Sequence, residues 1–315
     1  MPSELLFTIT IAICMRRAWQ LFHGKIYHKS FARFPPETLK SLTRKDNLPV
    51  ESLLSTLLLY LMLGAFAGIM AGMLGVGGGL IIVPVLAWIF HHQQVSDAVT
   101  MHLAIGSSLA TIVVTSISSI RAHHRRGAVL WPVFWRLTPG IVVGAWVGAA
   151  IADALPSAIL SKVFAIFVLT VAAQMGFGAK PAPHRELPGT VGMAAAGGMI
   201  GAVSAIVGIG GGSLTVPFLT WCNTAIRQAV ATSAACGLPI ALAGALGFIV
   251  TGLNTPNLPA WSLGYVYGPA LLGIAVTSML LAPLGARLAH TLPTDVLKKV
   301  FAVFLAIIGT RMLLS

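Results

Sequence analysis

Eight apolar stretches, at about 53–90, 99–120, 137–154, 157–178, 188–222, 226–250, 265–290 and 295–313, follow one another with no acidic residue in their interiors. A chain with that pattern has few places to fold. A membrane helix needs roughly 20 predominantly apolar residues, and within hydrocarbon every backbone polar group must be satisfied internally. Only 9% of the 315 residues are charged and 57% are hydrophobic, against about 25% charged in soluble domains. The sequence therefore predicts an all-α integral membrane protein with eight to ten membrane segments. The formal charge of +12 reads as loops retained on the cytoplasmic side, so no nucleic-acid partner is expected. Cys14, Cys222 and Cys236 are too far apart for a disulfide framework or a C-x-x-C metal site.

Residues 1–50 differ from the rest. They hold Arg16, Arg17, Lys25, Lys29, Arg33, Lys40, Arg44 and Lys45 against Glu4, Glu37 and Asp46. Leu5–Met15, extended by Trp19, Leu21 and Phe22, is too short to span and lacks a preceding basic region, so an interfacial helix is expected on a basic arm. Pro35, Pro36 and Pro49 separate the arm from the first long stretch.

The body is duplicated. Gly75-Val-Gly-Gly-Gly-Leu-Ile-Ile-Val-Pro84 returns 133 positions later as Gly208-Ile-Gly-Gly-Gly-Ser-Leu-Thr-Val-Pro217, identical at six of ten places. Leu155-Pro156 with Lys162-Val-Phe-Ala-Ile-Phe167 returns as Leu292-Pro293 with Lys299-Val-Phe-Ala-Val-Phe304. Two homologous helical repeats are thus expected over 53–178 and 188–313, joined by the polar linker 180–186. Transporters are often built this way, with the substrate site between the two repeats. A duplicated scaffold would leave the same trace.

Residues 53–90 as one helix would reach about 57 Å at 1.5 Å per residue, far beyond a hydrocarbon core of about 30 Å. The break is expected at Gly75–Gly79, and its counterpart at Gly208–Gly212, with helix resuming near Pro84 and Pro217. Unwound backbone at membrane depth survives only against protein or a polar cavity. There, glycine amides and a helix start can converge on an anion, or the glycines can simply let helices touch. A nucleotide-type phosphate loop is excluded because no Gly-Lys-Ser/Thr ending follows, and no cofactor is implied. The candidate substrate-binding residues are Gly77, Gly78, Gly79, Gly210, Gly211 and Gly212, with Ser107, Ser108, Thr232 and Ser233 as hydroxyl donors in the next stretch of each half. Helix packing and back-bonding are the alternative roles for hydroxyls and the expected ones for Thr111, Thr115 and Ser116. Cys236 is expected to be an inert buried thiol.

With all eight acidic residues outside the spans or at their edges, no buried carboxylate is available for a cation site or proton relay. His91-His92 and His123-His124 read as solvated loop residues without metal-site spacing. His102, five residues before Ser107, is the histidine placed to titrate near a substrate. No nucleophile, base and acid come together, so neither enzymatic catalysis nor a metal site is expected.

The doubled Gly-x-Gly-Gly-Gly-x-x-x-Val-Pro motif, the serine pair after it and the run Arg121-Ala-His-His-Arg-Arg-Gly-Ala-Val-Leu-Trp131 together resemble the TauE/SafE family of sulfite and sulfonate exporters over roughly 60–313. The resemblance implies a multi-pass bacterial inner-membrane permease for small sulfur-containing anions, with the glycines and hydroxyls named above at its site. An importer or channel for another small solute or metal ion, or a non-transporting scaffold, is the competing function. Arg121, Arg125, Arg126 and Arg136 mark 121–136 as cytoplasmic, and Arg287, Lys298 and Lys299 mark 287–299 likewise, whereas 251–264 has no charge. That distribution favours inverted repeats, although it leaves the basic arm on the opposite side. No feature fixes an oligomeric state.

Overall fold

Glycine and proline decide where the apolar stretches break into helices, as a computed structural model describing residues 50–74, 78–177, 186–288 and 294–314 shows. The chain divides into 1–54 and 55–315, and the account concerns the second part. The interfacial helix expected near the N-terminus lies outside the described residues.

The first half contains α1 (Val50–Leu74), α2 (Gly79–His92), α3 (Asp97–His124), α4 (Trp131–Ala154) and α5 (Ser157–Gly176). The second contains α6 (Thr190–Val207), α7 (Gly212–Trp221), α8 (Ile226–Gly252), a hairpin of β1 (Ser262–Leu263) and β2 (Val266–Tyr267), then α9 (Gly268–Leu288) and α10 (Thr294–Leu314). In each half a short helix follows a long one across the glycine motif, and three long helices follow. The antiparallel hairpin, pairing Ser262 with Tyr267 and Leu263 with Val266, has no counterpart among the described residues of the first half. Among the described helices, α3, α4, α5, α6 and α8 are long and apolar enough to cross a membrane.

Three local expectations shift. Helix resumes at Gly79 and Gly212, earlier than expected, with Pro84 and Pro217 inside α2 and α7. Each proline comes one turn in, so its ring releases only the carbonyl four residues before it, Leu80 or Ser213 in the first turn. The expected loop 121–136 shrinks to 125–130 because α4 already starts at Trp131, with Pro132 in the first turn where its missing N–H costs nothing. His91-His92 and His123-His124 close α2 and α3 instead of lying in loops.

Small residues let the halves interlock. Methyl groups added at Gly140, Gly144 and Gly148 of α4 would strike the backbone of Ala194, Gly198 and Ala202 of α6, and those at Gly64 and Gly68 of α1 would strike Ile274 and Ser278 of α9. The first helix of each half therefore packs parallel to the fourth helix of the other. At the centre α3 and α8 run antiparallel, with Gly106 beside Phe248, Leu109 beside Gly244 and Ser116 beside Gly237. Helices α5 and α10 are also antiparallel, with Gly176 near Ala302 and Leu169 near Gly309.

The core lies around α3, where Leu103, Ile105 and Leu109 pack with Phe90, Phe248 and Ile274. Met62, Trp135, Ile166, Met199 and Leu280 are exposed. Such an outward apolar surface is a liability in water and suits lipid.

Candidate functional site

The two glycine breaks meet. Gly208 closes α6 in the left-handed conformation, φ +75°, and its N–H and that of Ile209 return to the carbonyl of Ser204 at 2.9 and 3.0 Å, an arrangement that favours glycine. A Cβ on Gly79 would lie 2.5 Å from the Gly208 carbonyl oxygen and 2.9 Å from Ile209 Cα. Contact this close between backbones requires glycine at position 79. Gly78 and Gly211 precede α2 and α7 as N-caps, and neither helix start is capped by a side chain. The partial positive charge of each helix start is thus left for another acceptor. Gly210 and Gly211 are buried, Gly212 is half-buried, and Gly77 lies outside the described residues.

Of the four hydroxyl residues singled out in the sequence, Ser108 and Ser233 lie at this junction, and all four hydroxyls are engaged by protein. Ser108 Oγ donates to the Gly208 carbonyl at 2.8 Å, tying α3 to the second break. Ser233 Oγ donates back to Val230 at 2.9 Å. Ser107 Oγ accepts the N–H of Tyr267 at 2.9 Å, just before α9, and Thr232 Oγ1 accepts that of Leu130 at 3.0 Å, just before α4. Each of the last two caps a helix of the opposite half. Ser107 and Thr232 still have their own O–H to donate. Thr111 and Thr115 bond back to α3, Thr111 to the Ser107 carbonyl at 2.8 Å.

Sequence reasoning missed three hydroxyls with greater freedom. Ser204, Ser213 and Thr215 are buried with no hydrogen-bond partner on their side-chain oxygens. Ser213 and Thr215 occupy the first turn of α7, and a Cβ on Gly211 would sit 3.3 Å from Thr215 Oγ1. The signal for both was present inside the second motif, at the two places where the first has Leu80 and Ile82. Buried polar groups are nearly always hydrogen-bonded, so these oxygens beside an uncapped helix start are an arrangement suited to a bound acceptor.

No Asp, Glu, Lys or Arg side chain is buried among the described residues. Among the described residues the buried polar side chains are hydroxyls together with one imidazole, His102. Asp153, at the end of α4, is exposed and accepts the Tyr265 hydroxyl at 3.0 Å. Burial pushes that hydroxyl above the ordinary tyrosine value, which keeps it protonated as the donor. Among the described residues no three His, Cys, Asp or Glu side chains converge as a metal site would require. Cys236 is fully buried among Leu137, Ile141 and Ile240.

Long apolar helices and an apolar exterior define a multi-pass helical membrane protein. Similarity to known proteins supplies the rest. The chain belongs to the TauE/SafE family, described as "Sulfite exporter TauE/SafE", whose match covers residues 60–312. A probable membrane transporter protein of Haemophilus influenzae is 39% identical over 82% of this chain and 98% of its own length. Probable membrane transporter proteins of Methanocaldococcus jannaschii, at 29% identity over 81% of this chain and 95% of its own length, and of Bacillus subtilis, at 26% over 78% and 96%, match along the same body. No solved structure matches the chain.

Proposed function

We propose that the protein is a permease that exports a small anion, sulfite or another sulfur-containing oxyanion or organosulfonate, across the bacterial inner membrane through the junction of its two repeats. The observation that carries this reading is the first turn of α7. There an uncapped helix start coincides with two buried, unpartnered hydroxyls, Ser213 and Thr215. Donors and a positive helix end suit a tetrahedral or pyramidal oxyanion, and the lack of buried acid among the described residues suits it better than a cation. In this reading Gly78, Gly79 and Gly210 to Gly212, with Ser107, Ser108, Thr232 and Ser233, shape the junction around it, and Gly77 lies outside the described residues.

The repeats are inverted in this reading. Antiparallel packing of α3 on α8 and of α5 on α10 is what equivalent helices of opposite orientation produce. The arginine-rich turn at 125–126 then lies in the cytoplasm, while Asp97, Asp153 and the hairpin lie on the other face. An interior-negative potential drives each exported negative charge with about 2.3 kcal/mol per 100 mV, so export needs no coupled ion.

The test is flux into or out of liposomes holding the purified protein, offered sulfite, thiosulfate, a taurine-like sulfonate and chloride under an imposed potential. Selective, potential-driven movement of a sulfur oxyanion is expected. A folded protein that moves none of these anions would defeat the proposal and leave the scaffold reading standing.

A further inference from the structure

The hairpin breaks the equivalence of the halves, and what it adds is a site. The two capping bonds set the correspondence. Leu130 and Tyr267 donate to Thr232 and Ser107, so Tyr265 occupies the place of Ala128, two residues earlier. Five residues before each capping hydroxyl, α8 carries an exposed Arg227 and α3 carries His102, only 4% exposed. On otherwise similar scaffolds, the second half thus lays a tyrosine over a buried histidine.

The geometry fixes which nitrogen of His102 carries a hydrogen when the ring is neutral. His102 Nε2 lies 3.0 Å from the Ala152 carbonyl, a pure acceptor, so Nε2 carries the hydrogen and Nδ1 holds the lone pair. Nδ1 is buried and no donor reaches it. The ring stacks on Tyr265 with centroids 4.9 Å apart and planes at 29°. The Tyr265 hydroxyl accepts from Thr255 at 3.0 Å and donates to Asp153, while its backbone N–H donates to the Phe248 carbonyl at 3.2 Å. A cavity of about 330 Å³ adjoins the stack, lined by His102, Asp153, Tyr265, Thr255 and Asn257 among others.

The ionisable groups facing His102 are few. Helix α4 presents Asp153, and the hairpin presents Tyr265. From α5 comes Ser157, whose hydroxyl accepts the Met101 N–H at 3.0 Å, and from α8 comes Phe248; neither ionises. Asp97 on α3 is exposed and pairs with His91 of α2 at 3.2 Å. Helix α9 has no ionisable residue from Gly268 to Leu284.

We propose that His102 is a proton-binding site on the transport path, opened and closed by the Tyr265 hairpin. A proton from water on the Asp153 face adds to the lone pair of Nδ1, giving an imidazolium, and the hairpin lifts so that the new charge is hydrated. Release of the proton to the same water restores the neutral stack. In the sealed state Nδ1 is buried without a partner, so an added proton is hydrated only when the hairpin lifts. The open state therefore binds the proton more tightly, and acid shifts the population towards it. An imidazolium at the opened mouth also attracts an anion leaving by that face. The proposal rests on the anion-permease reading for its effect on flux, but not for the movement of the hairpin.

Two measurements separate those parts. The first is hydrogen exchange at the amides of Tyr265 and Tyr267, corrected for intrinsic exchange, in wild type and His102→Gln without substrate. The second is anion flux in liposomes with pH varied on one face at a time. Between about pH 7.5 and about pH 5.5 on the hairpin face, wild-type protection falls and flux rises about threefold or more, while H102Q is flat in both. Tyr265→Phe, which keeps the stack and loses the Asp153 bond, brings flux at neutral pH towards the acid level. An acid response retained in H102Q, or a wild type flat in both measurements, overturns the proposal. If H102Q does not fold, ¹⁵N resonances of His102 in the wild type decide, and a ring still neutral at Nδ1 when protection falls overturns it. Acid-sensitive exchange without flux of any anion would support the proton site and count against the permease reading alone.

Discussion

Neighbouring glycines of the first break have opposite tolerances, because one faces a side chain and the other a backbone. A methyl on Gly78 would lie 3.0 Å from Ile82 Cδ1, the movable end of a side chain, and Gly78 already has right-handed dihedrals, φ −72° and ψ −14°. A methyl on Gly79 would meet the Gly208 carbonyl of the other half at 2.5 Å, which can yield only if the halves part. Gly78→Ala is therefore expected to purify as a folded protein with reduced anion flux, and Gly79→Ala to lose the fold. Size-exclusion behaviour in detergent and thermal unfolding check the pair. Thr215 separates function from stability in a different way. Its hydroxyl is buried without a partner, so the near-isosteric Thr215→Val should stabilise the fold by about 1 kcal/mol while lowering anion flux. A gain in stability with flux untouched would show that the hydroxyl serves no substrate.

Across elements, the helical, apolar character of the chain was legible in the sequence, and helices end at Leu74 and Val207 and start at Gly79 and Gly212, at the glycine motifs it pointed to, because composition and low helix propensity act locally. What the sequence hid was set by the other half of the molecule. Ser107 and Thr232 were identified as polar and central, yet nothing nearby in sequence tells that each accepts an N–H 160 or 102 positions away. The hairpin at 262–267 was hidden for the same reason. Two residues per strand give no alternating pattern, and the segment is held by Ser107 of the other half as well as by Phe248 of its own. The caps carry a measurable consequence. Ser107→Ala and Thr232→Val each remove the acceptor for a helix-start N–H and should cost about 1 kcal/mol in stability. In the first variant extra hydrogen exchange should concentrate at the start of α9, and in the second at the start of α4. Equal exchange at both places in both variants would argue against the crosswise capping.

At the scale of the whole molecule, the contacts constrain orientation more tightly than charge does. Parallel packing of α1 with α9 and of α4 with α6 is compatible with repeats of either relative direction, and antiparallel packing of α3 on α8 supports the proposal that the repeats are inverted. Ser96 and Ala225 are the N-caps of those helices, with nearly the same backbone angles, φ −54° in both and ψ 129° and 133°. Neither makes a side-chain capping bond, so a cysteine at either place should be tolerated. In a background lacking Cys14, Cys222 and Cys236, Ser96→Cys should react with a membrane-impermeant maleimide added outside intact cells. Ala225→Cys should react only after the membrane is opened, because the proposed orientation puts the arginine-rich turn at 125–126 and the start of α8 on the cytoplasmic face. Reaction of both cysteines from one side would mean that the repeats run in the same direction, and the hairpin would then lose its assignment to the outer face.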